Sequence, residues 1–120
     1  MNNFTNFKVY KDGQILVTEI FRLTRKFSKE FNFLSDQINR SALSIVLNIA
    51  EGSGKNSDKD FNRYVKNALG SATELSAAIE TAHNLELLTK EELEKTELAI
   101  NSIIKQLGGF SKYLSKNISD

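Results

Sequence analysis

Two sets of side chains have the type and spacing that recognition chemistry needs. Lys8, Lys11, Arg22, Arg25, Lys26 and Lys29 fall within about a third of a helical wheel. A stripe of that kind can neutralise phosphates without reading sequence, and Arg40, Arg63 and Lys66 are further candidates for such contacts. The alternative is a charged solvent face that only keeps the chain soluble. The second set is Gln37, Arg40, Ser41, Ser44, Asn48 and Glu51, at spacings 3, 1, 3, 4, 3. On a helix these form one polar face, either solvated and bonded across helices or turned toward a subunit or channel. Within it, Arg40, Ser44, Asn48 and Glu51 are candidates for a buried ion-pair network that would register helices or subunits.

Other chemistry is sparse. The 120 residues include no cysteine and one histidine, which excludes disulfides, a thiolate nucleophile, Cys-ligated metal and a His-rich centre within one chain. A di-iron helical bundle needs two Glu-x-x-His pairs; Glu80 and His83 make one, and the single histidine leaves no second, so such a site is not indicated. His83 lies beside an apolar helical face with no hydroxyl or thiol three or four residues away to complete a triad, so a hydrogen-bonded structural role is expected. Gly52-Ser53-Gly54-Lys55-Asn56-Ser57 lacks the glycine spacing of a phosphate loop and follows no strand. No cofactor and no catalytic constellation are expected.

These residues must be positioned by helices, because every long segment has the helical period and none alternates as a strand does. The spacing predicts helices over 8–30, 36–51, 58–86 and 90–114 of one domain. The first gathers Val9, Leu16, Val17, Ile20, Leu23, Phe27 and Phe31 on one face, with Gly13 a weak spot. Ser35 is the expected N-cap of the second and Gly52 its C-terminal stop. Ser57 with Asp60, and Thr89 with Glu92, are capping-box pairs for the third and fourth. Gly108-Gly109 is expected to loosen the last turns, and the extreme ends (1–6 and 116–120) to fray. The connections are short, so sequential helices should be antiparallel neighbours in an all-α, up-down four-helix bundle.

Charge and hydropathy refine this picture. The formal charge of +1 is unevenly placed: residues 1–31 hold six basic and three acidic side chains, and residues 86–97 two basic and five acidic. The glutamates at the start of the fourth helix suit its dipole and could also meet the basic helix of a neighbouring copy. The start of the chain is polar, and no stretch approaches the ~20 apolar residues of a spanning helix, so a cytoplasmic protein without a membrane partner is expected. In the second helix Ile38, Ala42, Leu43, Ile45, Val46, Leu47, Ile49 and Ala50 cover an arc of ~200°, against the ~100° that one-sided packing needs. The excess points to a subunit interface, with Ile38, Leu43, Val46 and Leu47 as its candidates.

The run Asp36-Gln37-Ile38-Asn39-Arg40-Ser41-Ala42, then Ser44-Ile45, Asn48-Ile49-Ala50-Glu51-Gly52 and Gly54, together with Ala68-Leu69-Gly70-Ser71-Ala72-Thr73-Glu74-Leu75, resembles the bacterial four-helix-bundle family encoded in intervening sequences of large-subunit ribosomal RNA. Many members carry a historical ribosomal-protein label. The resemblance spans about Tyr10 to Leu114. Val46 stands where many members have proline, and Lys55 where arginine is common, which weakens a bidentate phosphate clamp there. The resemblance implies homo-oligomers, pentameric rings in particular, without known catalysis. A related branch, the accessory protein of diversity-generating retroelements, looks like a basic ring that binds nucleic acid and a reverse transcriptase. By this resemblance the expected partners are further copies of the chain, RNA or DNA, and a protein such as a reverse transcriptase. The reading drawn from residues and resemblance together is a non-catalytic oligomeric scaffold or adaptor, with a purely structural protein-interaction module as the rival.

Overall fold

The structure, a computed structural model, describes residues 4–116; the two ends expected to fray fall partly outside that range. It is all-α: helices α1 (Lys8–Thr24), α2 (Asn32–Ser53), α3 (Asp58–Asn84) and α4 (Lys90–Lys116), with 3-10 turns at Phe4–Asn6 and Lys29–Phe31 and no strand among the described residues. Phe4–Asn6 is ordered by an edge-on contact between the Phe4 and Tyr10 rings, 5.0 Å apart. α1 packs on α2 and α4, and α3 on α2 and α4. The inward positions repeat every three or four residues, as the helical period requires: Val9, Leu16 and Ile20; Ile38, Ile45 and Ile49; Val65, Ala72, Leu75 and Ile79; Ile100, Ile103 and Leu107. At one end Phe7, Phe61 and Phe110 meet with ring centroids 5.1–6.3 Å apart, closing the core.

The first helix stops six residues earlier than its apolar period suggests, at Thr24 and not at 30. Thr24 is buried, its hydroxyl donates to the Phe21 carbonyl, and Asn39 Nδ2 donates to Thr24 Oγ1 at 2.7 Å. Ser28 is extended (φ −71°, ψ 163°), so Phe27 and Phe31 belong to the connection and not to the α1 stripe. α2 in turn begins at Asn32, three residues before the expected cap; Ser35 lies within its first turn and donates to the Asn32 carbonyl at 3.3 Å. The other caps form as expected. Ser57 Oγ accepts the Asp60 N–H at 3.1 Å, and Thr89 and Glu92 exchange side-chain-to-backbone bonds of 2.9 and 3.1 Å. α3 ends in a Schellman turn, with Glu86 N–H on the His83 carbonyl, Leu87 N–H on the Ala82 carbonyl and Glu86 at φ 65°.

Gly52 does not stop α2. It lies inside the helix, where an added Cβ would stand 2.7 Å from Tyr64 Cβ and 3.0 Å from the Phe61 ring, so its missing side chain sets the α2–α3 approach. Gly13 does the same for α1 and α2, where a Cβ would meet Val46 Cγ1 at 2.7 Å. Gly70, Gly108 and Gly109 face open space, and α4 runs through the glycine pair without loosening. Across α3–α4, Ser111 Oγ donates to Asn62 Oδ1 at 2.6 Å and Asn62 Nδ2 to Ser115 Oγ at 3.1 Å, so this buried amide is satisfied at both ends.

The two kinds of glycine should respond oppositely to alanine. Gly52→Ala must move groups fixed close to the backbone and should lower unfolding free energy by about 1–3 kcal/mol. Gly70→Ala should raise it by about 0.5–1 kcal/mol, the helix-interior gain of alanine over glycine. Urea midpoints measure both; a Gly52→Ala variant as stable as the parent would refute the close approach.

Candidate interaction surfaces

α2 is apolar over a wide arc because it has two neighbours, α1 on one flank and α3 on the other. This corrects half of the expected interface. Ile38 is 0% exposed and Val46 1%, so both are spent inside the protomer, Val46 against α1 at Gly13. Leu43 and Leu47 remain 45% and 55% exposed. One turn apart, they sit outward of the positions that touch α1. On α1, Phe21 is 56% exposed and Val17 half-buried, and both lie on the flank nearer α2. The outer α1–α2 rim therefore carries apolar surface that the protomer does not cover.

A second apolar surface lies on the other flank of α1. α1 and α4 touch sparingly and leave a groove of about 390 Å³ floored by Leu16, Leu23, Ala99 and Ile103. Ile15, on its α1 bank, is 62% exposed. Sequence periodicity missed this groove because Leu16 and Ile103 read as ordinary core positions; only the thin α1–α4 contact opens it.

The polar face of α2 is turned to α3. Gln37 Nε2 and Ser41 Oγ both donate to Glu74 Oε1, at 2.6 and 2.8 Å. Ser44 and Ser71 hydroxyls are 2.8 Å apart, and Asn48 Nδ2 donates to the Ser44 carbonyl and hydroxyl at 2.8 and 3.1 Å. The network thus registers α2 on α3 within one protomer. Arg40 and Glu51 stand outside it. Both are exposed, no ion pair joins them among the described residues, and eleven residues of helix separate them by ~16 Å. In place of the expected buried ion pair, uncharged donors of α2 bond the exposed Glu74 carboxylate.

The basic stripe expected on the first helix is divided. With α1 ending at Thr24, Arg25 caps it and Lys26 and Lys29 lie in the connection. Three of the cations have carboxylate partners: Lys8 with Asp12 at 2.7 Å, Arg22 with Glu19 at 3.1 Å and Lys26 with Glu92 at 3.7 Å. Arg25 lies over the Phe21 ring at 5.9 Å. Elsewhere, Lys55 and Arg63 both sit over the Tyr64 ring, 5.0 and 4.9 Å from its centroid, and Lys66 is exposed. No group of three or more His, Cys, Asp or Glu side chains among the described residues could hold a metal ion, and no described helix is long and apolar enough to cross a membrane.

This arrangement of helices has relatives among known proteins. A family model described as 23S rRNA-intervening sequence protein matches residues 5–109. The chain belongs to that family. A solved structure similar to it is a protein with unknown function from the S23 ribosomal protein family of Bacteroides thetaiotaomicron VPI-5482, 27% identical, with a TM-score of 0.78 over 87% of this chain and 98% of that one. No curated protein sequence shows significant similarity to it. The family relation agrees with the resemblance carried by Asn48-Ile49-Ala50-Glu51-Gly52, whose members now have visible tasks: Asn48 bonds Ser44, Ile49 fills the core and Gly52 admits Tyr64.

Asp12, on the groove wall, is a carboxyl clearly displaced from its ordinary value. The Lys8 ammonium and then the Gln106 amide, which donates at 2.9 Å from α4, hold it below the usual carboxylate range. Its folded-state value is the lower one, so its contribution to stability is present above the unfolded value of about 3.9 and is lost as pH falls through the folded value. Asp12→Asn should therefore flatten the acid limb of the stability–pH curve below about pH 4. Parallel curves for variant and parent, from thermal midpoints, would contradict this assignment.

Proposed function

We propose that the chain is a non-catalytic building block that self-associates into a closed homo-oligomeric ring and acts as a scaffold or adaptor. The observation that carries this reading is the pair of different apolar surfaces on opposite flanks of α1: the rim of Phe21, Leu43 and Leu47, and the groove beside Ile15. A ring of more than two copies needs a heterologous contact, in which one patch of a subunit meets another patch of the next. Rim and groove supply that pair. The building block is an antiparallel up-down bundle. Supporting this, partners run in opposite order along adjacent helices, with Gln37 bonded to Glu74 but Ser44 to Ser71, and Asp12 bonded to Gln106 but Lys26 paired with Glu92. The pentamer number comes from the family resemblance; the two surfaces ask only for closure. The rival reading, an interaction module that stays monomeric until a different protein covers its rim, lacks a role for the second surface.

Mixing variants tests the reading. Leu43→Arg with Leu47→Arg should destroy the rim, and Ile15→Arg with Ala99→Arg should fill the groove. Light scattering should then report each variant alone as a monomer. An equal mixture should form dimers, because one intact rim still meets one intact groove. A mixture that stays monomeric, or variants that assemble as the parent does, would overturn the head-to-tail ring. Far-ultraviolet circular dichroism confirms that each variant is folded.

A further inference from the structure

Charge in α3 and α4 is sorted along the helices. In α4, residues 90–97 hold four glutamates and two lysines, while residues 98–116 hold three lysines and no carboxylate. In α3, residues 61–73 hold Arg63 and Lys66 and no carboxylate, while Glu74 and Glu80 follow with no lysine or arginine to the end of the helix. The bonds from Asn62 to Ser111 and Ser115 put the two acid-free segments side by side, so Lys112 stands level with Arg63 and Lys116 with Lys59. On the helical wheel Lys59, Arg63 and Lys66 share the outward arc of α3, and Lys105, Lys112 and Lys116 that of α4. All six are exposed, and none has a carboxylate within ion-pair distance among the described residues. That distinguishes them from Lys8, Arg22 and Lys26, whose charge is answered by neighbours.

We propose that this outward α3–α4 face, built on Lys59, Arg63, Lys66, Lys105, Lys112 and Lys116, binds the phosphodiester backbone of nucleic acid. Six cations without a carboxylate partner among the described residues repel one another across adjoining helix faces, a cost that a polyanion removes. Its relief is low: Gly70 and Gly108 lie on the same outward surface, and a side chain at either position would meet nothing within 4 Å. A phosphate chain can therefore lie close to the backbone. The Tyr64 ring holds the Arg63 guanidinium at 4.9 Å without neutralising it, which keeps its donors available and reduces the entropy lost on binding. Asp58 and Asp60 bound the face at the first turn of α3, and Glu97 and Glu94 bound it at the acidic end of α4.

The exposed apolar and aromatic side chains of α4 lie outside this face. Leu98 is about two turns beyond Lys105, toward the acidic end, and Tyr113 is on the flank that Gln106 turns to α1. The face therefore lacks what a lipid surface would require for insertion. The Tyr64 ring already holds Lys55 and Arg63, so contacts go to phosphates and not to stacked bases. The inference goes beyond self-association and uses a face that neither the α1–α2 rim nor the groove occupies.

Fluorescence anisotropy with duplex and single-stranded oligonucleotides of both DNA and RNA tests it, with anionic phospholipid vesicles as a separate arm. Binding at low salt should weaken with a log–log slope of about −3 to −5 in salt concentration on duplex DNA. Lys105→Glu, Lys112→Glu and Lys116→Glu together should weaken binding at least tenfold and make the slope shallower by about one per contact removed. The milder Lys112→Gln with Lys116→Gln should act in the same direction with the helical spectrum unchanged. Arg25→Glu with Lys29→Glu should leave binding within about twofold, since those residues lie at the other end of the molecule. Absence of binding at low salt, binding to vesicles alone, or a loss that follows Arg25 and Lys29 in place of the α4 lysines would each overturn the proposal.

Discussion

The structure depends on the burial of α2 between α1 and α3. Ile38, Ile45 and Ile49 are wholly enclosed there, and enclosure is possible only because two positions carry no side chain. Gly13 lets α1 come down onto Val46, and Gly52 lets Tyr64 and Phe61 of α3 come down onto α2. Each glycine costs about 1 kcal/mol of helix propensity, which the closer packing on both flanks must offset. The hydrogen bonds from Gln37 to Asn48 then fix the register along the α2–α3 seam, and their one charged member, the Glu74 carboxylate, is exposed. An exposed carboxylate avoids the desolvation cost of a buried pair, several kcal/mol per ion before compensation.

What α2 takes inward determines what remains outside. Once Ile38 and Val46 are consumed by the core, the apolar surplus of the helix shrinks to Leu43 and Leu47, which join Phe21 on one rim. The shortness of α1 has a second effect. Its 17 residues span less of the molecule than the 27 of α4, and the sparse α1–α4 contact leaves the groove beside Ile15. Two unlike surfaces thus flank the same helix, an apolar rim and a groove whose apolar floor is walled by Asp12, Glu19, Glu92 and Lys95. Lys8, Arg22 and Lys26 pair with carboxylates of α1 and α4, whereas six of the cations without such a partner among the described residues lie on the outer side of α3 and α4. The exposed apolar rim and this basic face therefore occupy different parts of the surface.

Much of this was legible in the sequence, and the exceptions have physical causes. The helix count followed from periodicity, and the Ser57 and Thr89–Glu92 caps form as their spacing indicates, because a capping box is a local interaction. The end of α1 was not legible. Leu23, Phe27 and Phe31 continue the apolar period, but Asn39, fifteen residues away, bonds Thr24 at the point where the helix stops. Gly52 read as a terminator because glycine commonly follows a helix; its role is set by Tyr64, twelve residues on, and local pattern cannot report it. The exposed part of α2 was half legible: a wheel shows that α2 has too wide an apolar arc for a single neighbour, but not how α1 and α3 would divide that arc. Likewise the basic residues of the first 31 positions drew attention as a run, whereas Lys59, Arg63 and Lys66 become a surface only when α4 brings Lys105, Lys112 and Lys116 beside them.

The central claim is that the uncovered rim of Phe21, Leu43 and Leu47 is completed by another copy of the chain. Sedimentation equilibrium of the unmodified protein at low micromolar concentration tests it most directly. The account predicts a discrete mass that is a multiple, greater than two, of the 13.5 kDa chain. A lone species of 13.5 kDa throughout the concentration range would contradict it.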